Sequence, residues 1–178
     1  MSTDPVVIVA ARRTPIGAFQ GALSDVSATE LGATAVAAAV ADSGVEPADF
    51  GRVLMGCVLP AGLGQAPARQ AALGGGLPKG VPCATVNKMC GSGMEALVLA
   101  HDMIVAGSVG IAVAGGLESM TNAPYLMPKA RKGYRMGHQE VLDHMFYDGL
   151  QDTYEGHMMG HYAEATSQKY GFSREDQD

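Results

Sequence analysis

Cys90 lies in the segment TVNKMCGSGMEALVLAHDMI, Thr85–Ile104, where a short β-branched stretch gives way to a long apolar helix pattern. The nucleophilic form of cysteine is the thiolate, and a free cysteine has a pKa of about 8.5. A helix N-terminus presents unpaired N–H groups and roughly half a positive charge, which favours the anion. Lys88 can add positive potential to the same turn. Gly91 and Gly93 leave space for a bulky acyl group and let the backbone turn sharply. The logic parallels the nucleophile elbow of hydrolases, in which a strand-to-helix turn exposes the reactive atom. The competing reading is an inert thiol that only packs.

The same turn fits a second pattern. Gly91-Ser-Gly93-Met-Glu-Ala96 matches G-x-G-x-x-A, the dinucleotide-binding fingerprint, and Glu118 falls at the end of the next strand, where a ribose-binding acid could sit. An NAD-binding oxidoreductase is therefore a rival reading of these residues. Polar Asn87 and Lys88 before the turn argue against it. Cys57 and Cys83 lie in or beside strands and read as small core residues. His157 and His161 have the i, i+4 spacing of two metal ligands, but with no third ligand and no H-E-x-x-H pattern they define no metal site. Lys129, Arg131, Lys132 and Arg135 form a basic cluster that suits ligand phosphates, a solvated loop or a subunit contact. His101 with Asp102 reads as a helix-packing pair.

The elements that must position Cys90 alternate. Val6–Ala10 reads as a buried strand, and Arg52–Leu59, Pro82–Val86 and Val109–Ala114 as the strands that follow it. Ser27-Ala-Thr-Glu30 is a capping-box signature, and the helix after it runs to Gly44. A short helix spans Ala68–Leu73, closed by three glycines. A longer one spans about Gly91 to Ala106, with so narrow a polar stripe that burial on most sides is expected. Strands alternating with helices predict an α/β fold with parallel pairing. After Ser119 the texture changes: residues 120–160 hold six of the eleven methionines and no strand periodicity. A boundary is placed there, giving segments 1–118 and 119–178. The Met-rich segment suits an acyl pocket or an interface core.

Composition excludes several classes. The net charge of −6 opposes general nucleic-acid binding. No apolar run reaches the roughly 18 residues of a membrane span, and the acidic start does not read as a secretory signal. Three unevenly spaced cysteines make no disulfide framework, so reduced thiols in the cytoplasm are expected. Ser173 reads as an N-cap with acidic residues behind it, close to the last residue, Asp178. Four candidate strands with no second half give the expectation of a fragment.

Taken together, these segments resemble the thiolase family, and within it the acetyl-CoA acetyltransferases. VVIVAARRTPIGAFQG resembles the family's opening strand and loop, and GLGQAPARQAAL its Gly-Gln-x-Pro-Ala-Arg-Gln segment. TVNKMCGSGMEALVLAHDMI is similar to the segment bearing the acylated cysteine. AGGLESMTNAPYLMPKARKGYRMGH resembles the opening of the loop domain, and DGLQDTYEGHMMGHYAE its substrate-lining part. The resemblance covers essentially all 178 residues, about the first half of a family member.

The resemblance implies a layered α-β-α-β-α fold of which this chain holds the first half. Residues 1–118 match the half-domain with the nucleophile, and 119–178 the start of the loop domain. Cys90 matches the catalytic nucleophile, whose backbone N–H donates to the thioester oxygen. Leu150 and Met159 match apolar residues near the thioester and the pantetheine arm. Met158 stands where the family often has histidine, which removes a polar contact and bears on substrate preference. The region 119–140 matches a part that assembles homotetramers. The implied substrates are acetyl-CoA and acetoacetyl-CoA, with no other cofactor, no metal, and neither nucleic-acid nor membrane partners. The family's catalytic histidine (in Gly-His-Pro) and second cysteine have no counterpart among these residues, so the chain alone is expected to be inactive or unfolded. A broader-range 3-ketoacyl-CoA thiolase and a non-catalytic acyl-CoA-binding module also fit these residues.

Overall fold

The computed structural model describes residues 6–178. The chain divides into two units, one through Ala123 and one of Pro124–Asp178.

In the first unit, helix α1 spans Ala28–Ser43. The Ser27 hydroxyl accepts the Glu30 N–H at 3.2 Å and the Glu30 carboxylate accepts the Ser27 N–H at 2.9 Å, the reciprocal cap its sequence predicts. Gly44 ends the helix at φ 66°, in the left-handed region that glycine adopts without steric cost. Strand β1 (Arg52–Gly56), helix α2 (Pro67–Gly74), strand β2 (Cys83–Val86), helix α3 (Ser92–Val105) and strand β3 (Ala112–Gly116) follow. The strands form one parallel sheet in the order β2-β1-β3.

Alternation along β1 sorts the core into two layers. Val53 and Met55 pack with Val36, Val40, Ala71, Ala72 and Leu117 on the side of α1 and α2. Leu54 turns the other way, against Ala96 and Ala100 of α3. Alanine and glycine are frequent because the helices sit close: a Cβ on Gly32 would lie 2.9 Å from the Leu117 side chain.

Two expectations fail. Val6–Ala10 forms no strand, and Val7, Ile8 and Val9 are largely exposed. A strand needs a neighbouring ladder, and no described strand pairs with this run. Helix α3 is not buried on most sides: Met94, Leu97, Val98 and Val105 are exposed, and only the Ser92–Ala96–Ala100 stripe is buried. Periodicity reports that a helix is apolar, not that this chain covers it.

The second unit pairs two short antiparallel strands, β4 (Tyr125–Leu126) and β5 (Leu142–Asp143). A π-helical turn, Met145–Leu150, leads to α4 (Met159–Tyr170) and α5 (Arg174–Gln177). The Asp152 carboxylate ties this turn to α4, accepting the N–H groups of Tyr154 and Glu155 and the Tyr162 hydroxyl. The Glu155 N–H is the main reason the Asp152 carboxyl titrates below its ordinary value. No helix among the described residues is long and apolar enough to cross a membrane.

Candidate active site

Parallel pairing brings the C-terminal ends of all three strands to one edge, with Gly56 opposite both Val86 and Gly116. Helix α3 begins at that edge. Crevices outside the carboxyl ends of strands are where open α/β sheets place ligands.

The chain passes from β2 to α3 through a tight turn that carries Cys90. Met89, just before it, has φ 49°, a left-handed conformation that is unfavourable for a residue with a side chain. Short bonds hold this geometry. The Asn87 side-chain oxygen accepts the Met89 N–H at 2.9 Å. The Gly91 N–H donates to the Lys88 carbonyl and the Ser92 N–H to the Met89 carbonyl. The Ser92 hydroxyl donates to the Met89 carbonyl at 2.6 Å and accepts the Lys88 N–H at 2.9 Å.

Cys90 itself is exposed. It lines a hollow of about 310 Å³ with Gly56, Val58, Met89, Ser92, Gly93, Gly116, Leu117 and Glu118. Three of those nine residues are glycines, which leaves the sulfur's surroundings open to a substituent. A wider hollow of about 740 Å³ lies along Glu30, Ala33, Thr34, Ala37, Ala38 and Gly74. It holds no cysteine, and its two polar side chains are engaged locally, Glu30 with Ser27 and the Thr34 hydroxyl with the Glu30 carbonyl.

Glu118 braces the far wall of the Cys90 hollow. Its carboxylate accepts the N–H groups of Val58 and Leu59 at 2.7 and 3.0 Å and meets the Cys57 thiol at 3.5 Å. Both oxygens are therefore committed to the protein, which corrects the reading of Glu118 as a ribose-binding acid. Burial, with the Glu118 charge and hydrogen bond beside it, pushes the Cys57 thiol up to about 12. Burial also raises Cys83. Cys57 is fully enclosed in the core, as its sequence predicts, and Cys83 is half-buried against it.

Lys88 does not direct its charge into the turn alone: its ammonium pairs with Glu95 at 2.7 Å. His101 and Asp102 are 3.1 Å apart on the outer part of α3, a surface pair rather than a packing pair. His157 and His161 stack at 4.3 Å, and no described group of three or more His, Cys, Asp or Glu is arranged to hold a metal ion. Leu150, Met158 and Met159 belong to the second unit. There Met158 bridges to Gln151, so the three are brought together at the junction of the π-helical turn and α4. Sequence reasoning passed over Ser92, Asn87 and Glu118 as structural partners; the one legible signal was a small polar residue at the first position of α3.

The family profile described as "Thiolase, N-terminal domain" matches residues 6–178. The chain belongs to the thiolase family. It is 49% identical over 173 residues to proteins of Staphylococcus aureus strains COL and MRSA252, each named "Probable acetyl-CoA acyltransferase". The alignment covers 97% of this chain and 44% of those relatives, so the chain spans less than half their length. The parallel sheet with helices on both faces is thus a thiolase N-terminal domain.

Proposed function

We propose that the protein of which this chain is part is a thiolase-type acyltransferase that condenses two acetyl-CoA molecules to acetoacetyl-CoA and CoA. The observation that carries this reading is the exposed Cys90 just before α3, on a strained turn, among the residues that line a glycine-rich hollow. In the first half-reaction the sulfur attacks the thioester carbonyl, the carbon–sulfur bond to CoA breaks, and CoA leaves with the thiol proton. In the second, another acetyl-CoA loses an α-proton and its carbanion attacks the acyl-cysteine. The new carbon–carbon bond forms as the Cys90 thiolate departs, and the released α-proton returns to that sulfur to regenerate the thiol. A covalent intermediate divides one difficult step into two.

The Cys90 N–H is the chain's own candidate donor to the oxygen on which charge develops. The resemblance assigns deprotonation of Cys90 to a Gly-His-Pro histidine and the second acid/base role to a cysteine in a glycine-rich loop. The five histidines here, at 101, 138, 144, 157 and 161, occur in no such motif. Leu150, Met158 and Met159 are proposed to line the acyl and pantetheine path. CoA thioesters act as substrates, a homotetramer is the proposed assembly, and the cytoplasm the proposed location. A broader 3-ketoacyl-CoA range is the second reading, favoured by the apolar Met158 and the relatives' broader name, acyltransferase.

The test is product formation by the full-length protein. Acetoacetyl-CoA should accumulate from acetyl-CoA and be consumed when CoA is added in excess. Cleavage confined to longer 3-ketoacyl-CoA thioesters would transfer the assignment to the second reading, and no turnover of either would reject both.

A further inference from the structure

We infer that Ser92 is a positioning residue for Cys90: its hydroxyl clamps the strained turn that holds the sulfur out of the sheet. Ser92 is 4% exposed, and its hydroxyl is used twice, as donor to Met89 and acceptor from Lys88. The two backbone groups it joins flank the one residue of the turn with a positive φ, Met89 at 49°. A left-handed methionine relaxes unless its surroundings fix it, at a cost of order 1–3 kcal/mol. Ser92 in turn cannot shift toward the sheet, since it lies against Gly56 so closely that even a methyl there would overlap it. Asn87 holds the same Met89 from its N–H side. Cys90 follows Met89 directly, so the direction of its sulfur depends on this clamp.

The catalytic meaning rests on the acyl-enzyme reading, but the clamp can be tested without it. In the full-length protein, the alkylation rate of Cys90 by iodoacetamide at about pH 8 is followed by peptide mass spectrometry. Ser92→Ala is expected to slow it about tenfold, and Ser92→Thr, which keeps the hydroxyl, to stay within about threefold of wild type. Ser27→Ala, which removes the distant cap of α1, should lower thermal stability and leave the Cys90 rate unchanged. In the acyl-transfer assay, kcat falls with Ser92→Ala while KM for acetyl-CoA holds. An unchanged or raised alkylation rate in Ser92→Ala, or equal slowing in Ser27→Ala, overturns the clamp. If Ser92→Ala does not fold, Asn87→Ala on the exposed side of the turn is read instead, with about threefold slowing expected and an unchanged rate overturning it. A wild-type protein that alkylates at Cys90 but takes up no acetyl group rejects the function and not the clamp.

Discussion

Gly56 and Ser92 meet at the junction of sheet and helix: a Cβ on Gly56 would lie 2.5 Å from the Ser92 carbonyl carbon and 2.7 Å from its Cβ. The obstructing atoms are largely backbone, so no side-chain rotation relieves the overlap. Gly56→Ala must therefore push the start of α3 away from the sheet. We expect a loss of roughly 1–3 kcal/mol in urea unfolding and a slower reaction of Cys90 with iodoacetamide. Wild-type stability with a wild-type rate would mean that the close approach does not set the turn.

Glu118 joins a second pair of segments, since its carboxylate holds the N–H groups of Val58 and Leu59, 60 and 59 residues away in sequence. Glu118→Gln keeps one acceptor oxygen and presents an amide N–H to the other donor. The expected cost is about 1–3 kcal/mol. Removing the negative charge should also make Cys57 easier to ionise, so that its alkylation at alkaline pH quickens relative to wild type. A Cys57 rate unchanged by the substitution would show that burial alone protects the thiol.

Cys57 gives the stability an alkaline limb. Its thiol is raised from the ordinary 9.0 to about 12 in the folded protein, chiefly by burial. Below pH 9 the folded and unfolded states both hold the proton, and the group is silent. Between about 9 and about 12 the unfolded chain releases a proton that the folded protein keeps, so stability falls as pH rises. At about 1.4 kcal/mol per pH unit, the loss reaches about 2 kcal/mol near pH 10.5. Cys57→Ser keeps a donor for Glu118 and does not titrate in this range. Urea midpoints of the two proteins should therefore converge between about pH 8 and about pH 10.5. Parallel midpoints would contradict the shift.

The sequence disclosed what local chemistry decides. Ser27 and Glu30 specify the start of α1, Gly44 its end, and the passage from β-branched residues to helical spacing places Cys90 at a turn. Contacts between distant segments were illegible. Glu118 occupies the position of a ribose-binding acid in one pattern, and only the folded chain shows its oxygens committed to Val58 and Leu59. Val6–Ala10 has strand composition, but pairing is a property of two segments and no described strand pairs with this run. The outer face of α3 reads as core for the same reason: Leu97 and Val98 have the right chemistry, yet each stays about half exposed among the described residues.

Acetylation of Cys90 is the direct readout of the proposed covalent chemistry. The full-length protein is mixed with acetyl-CoA, quenched in acid and mapped by peptide mass spectrometry, beside Cys90→Ser. One acetyl group is expected on the peptide containing Cys90, with release of an equal amount of CoA and loss of both in the variant. Acetyl transfer that persists in Cys90→Ser, or a wild-type peptide that stays unmodified while substrate is turned over, would contradict it.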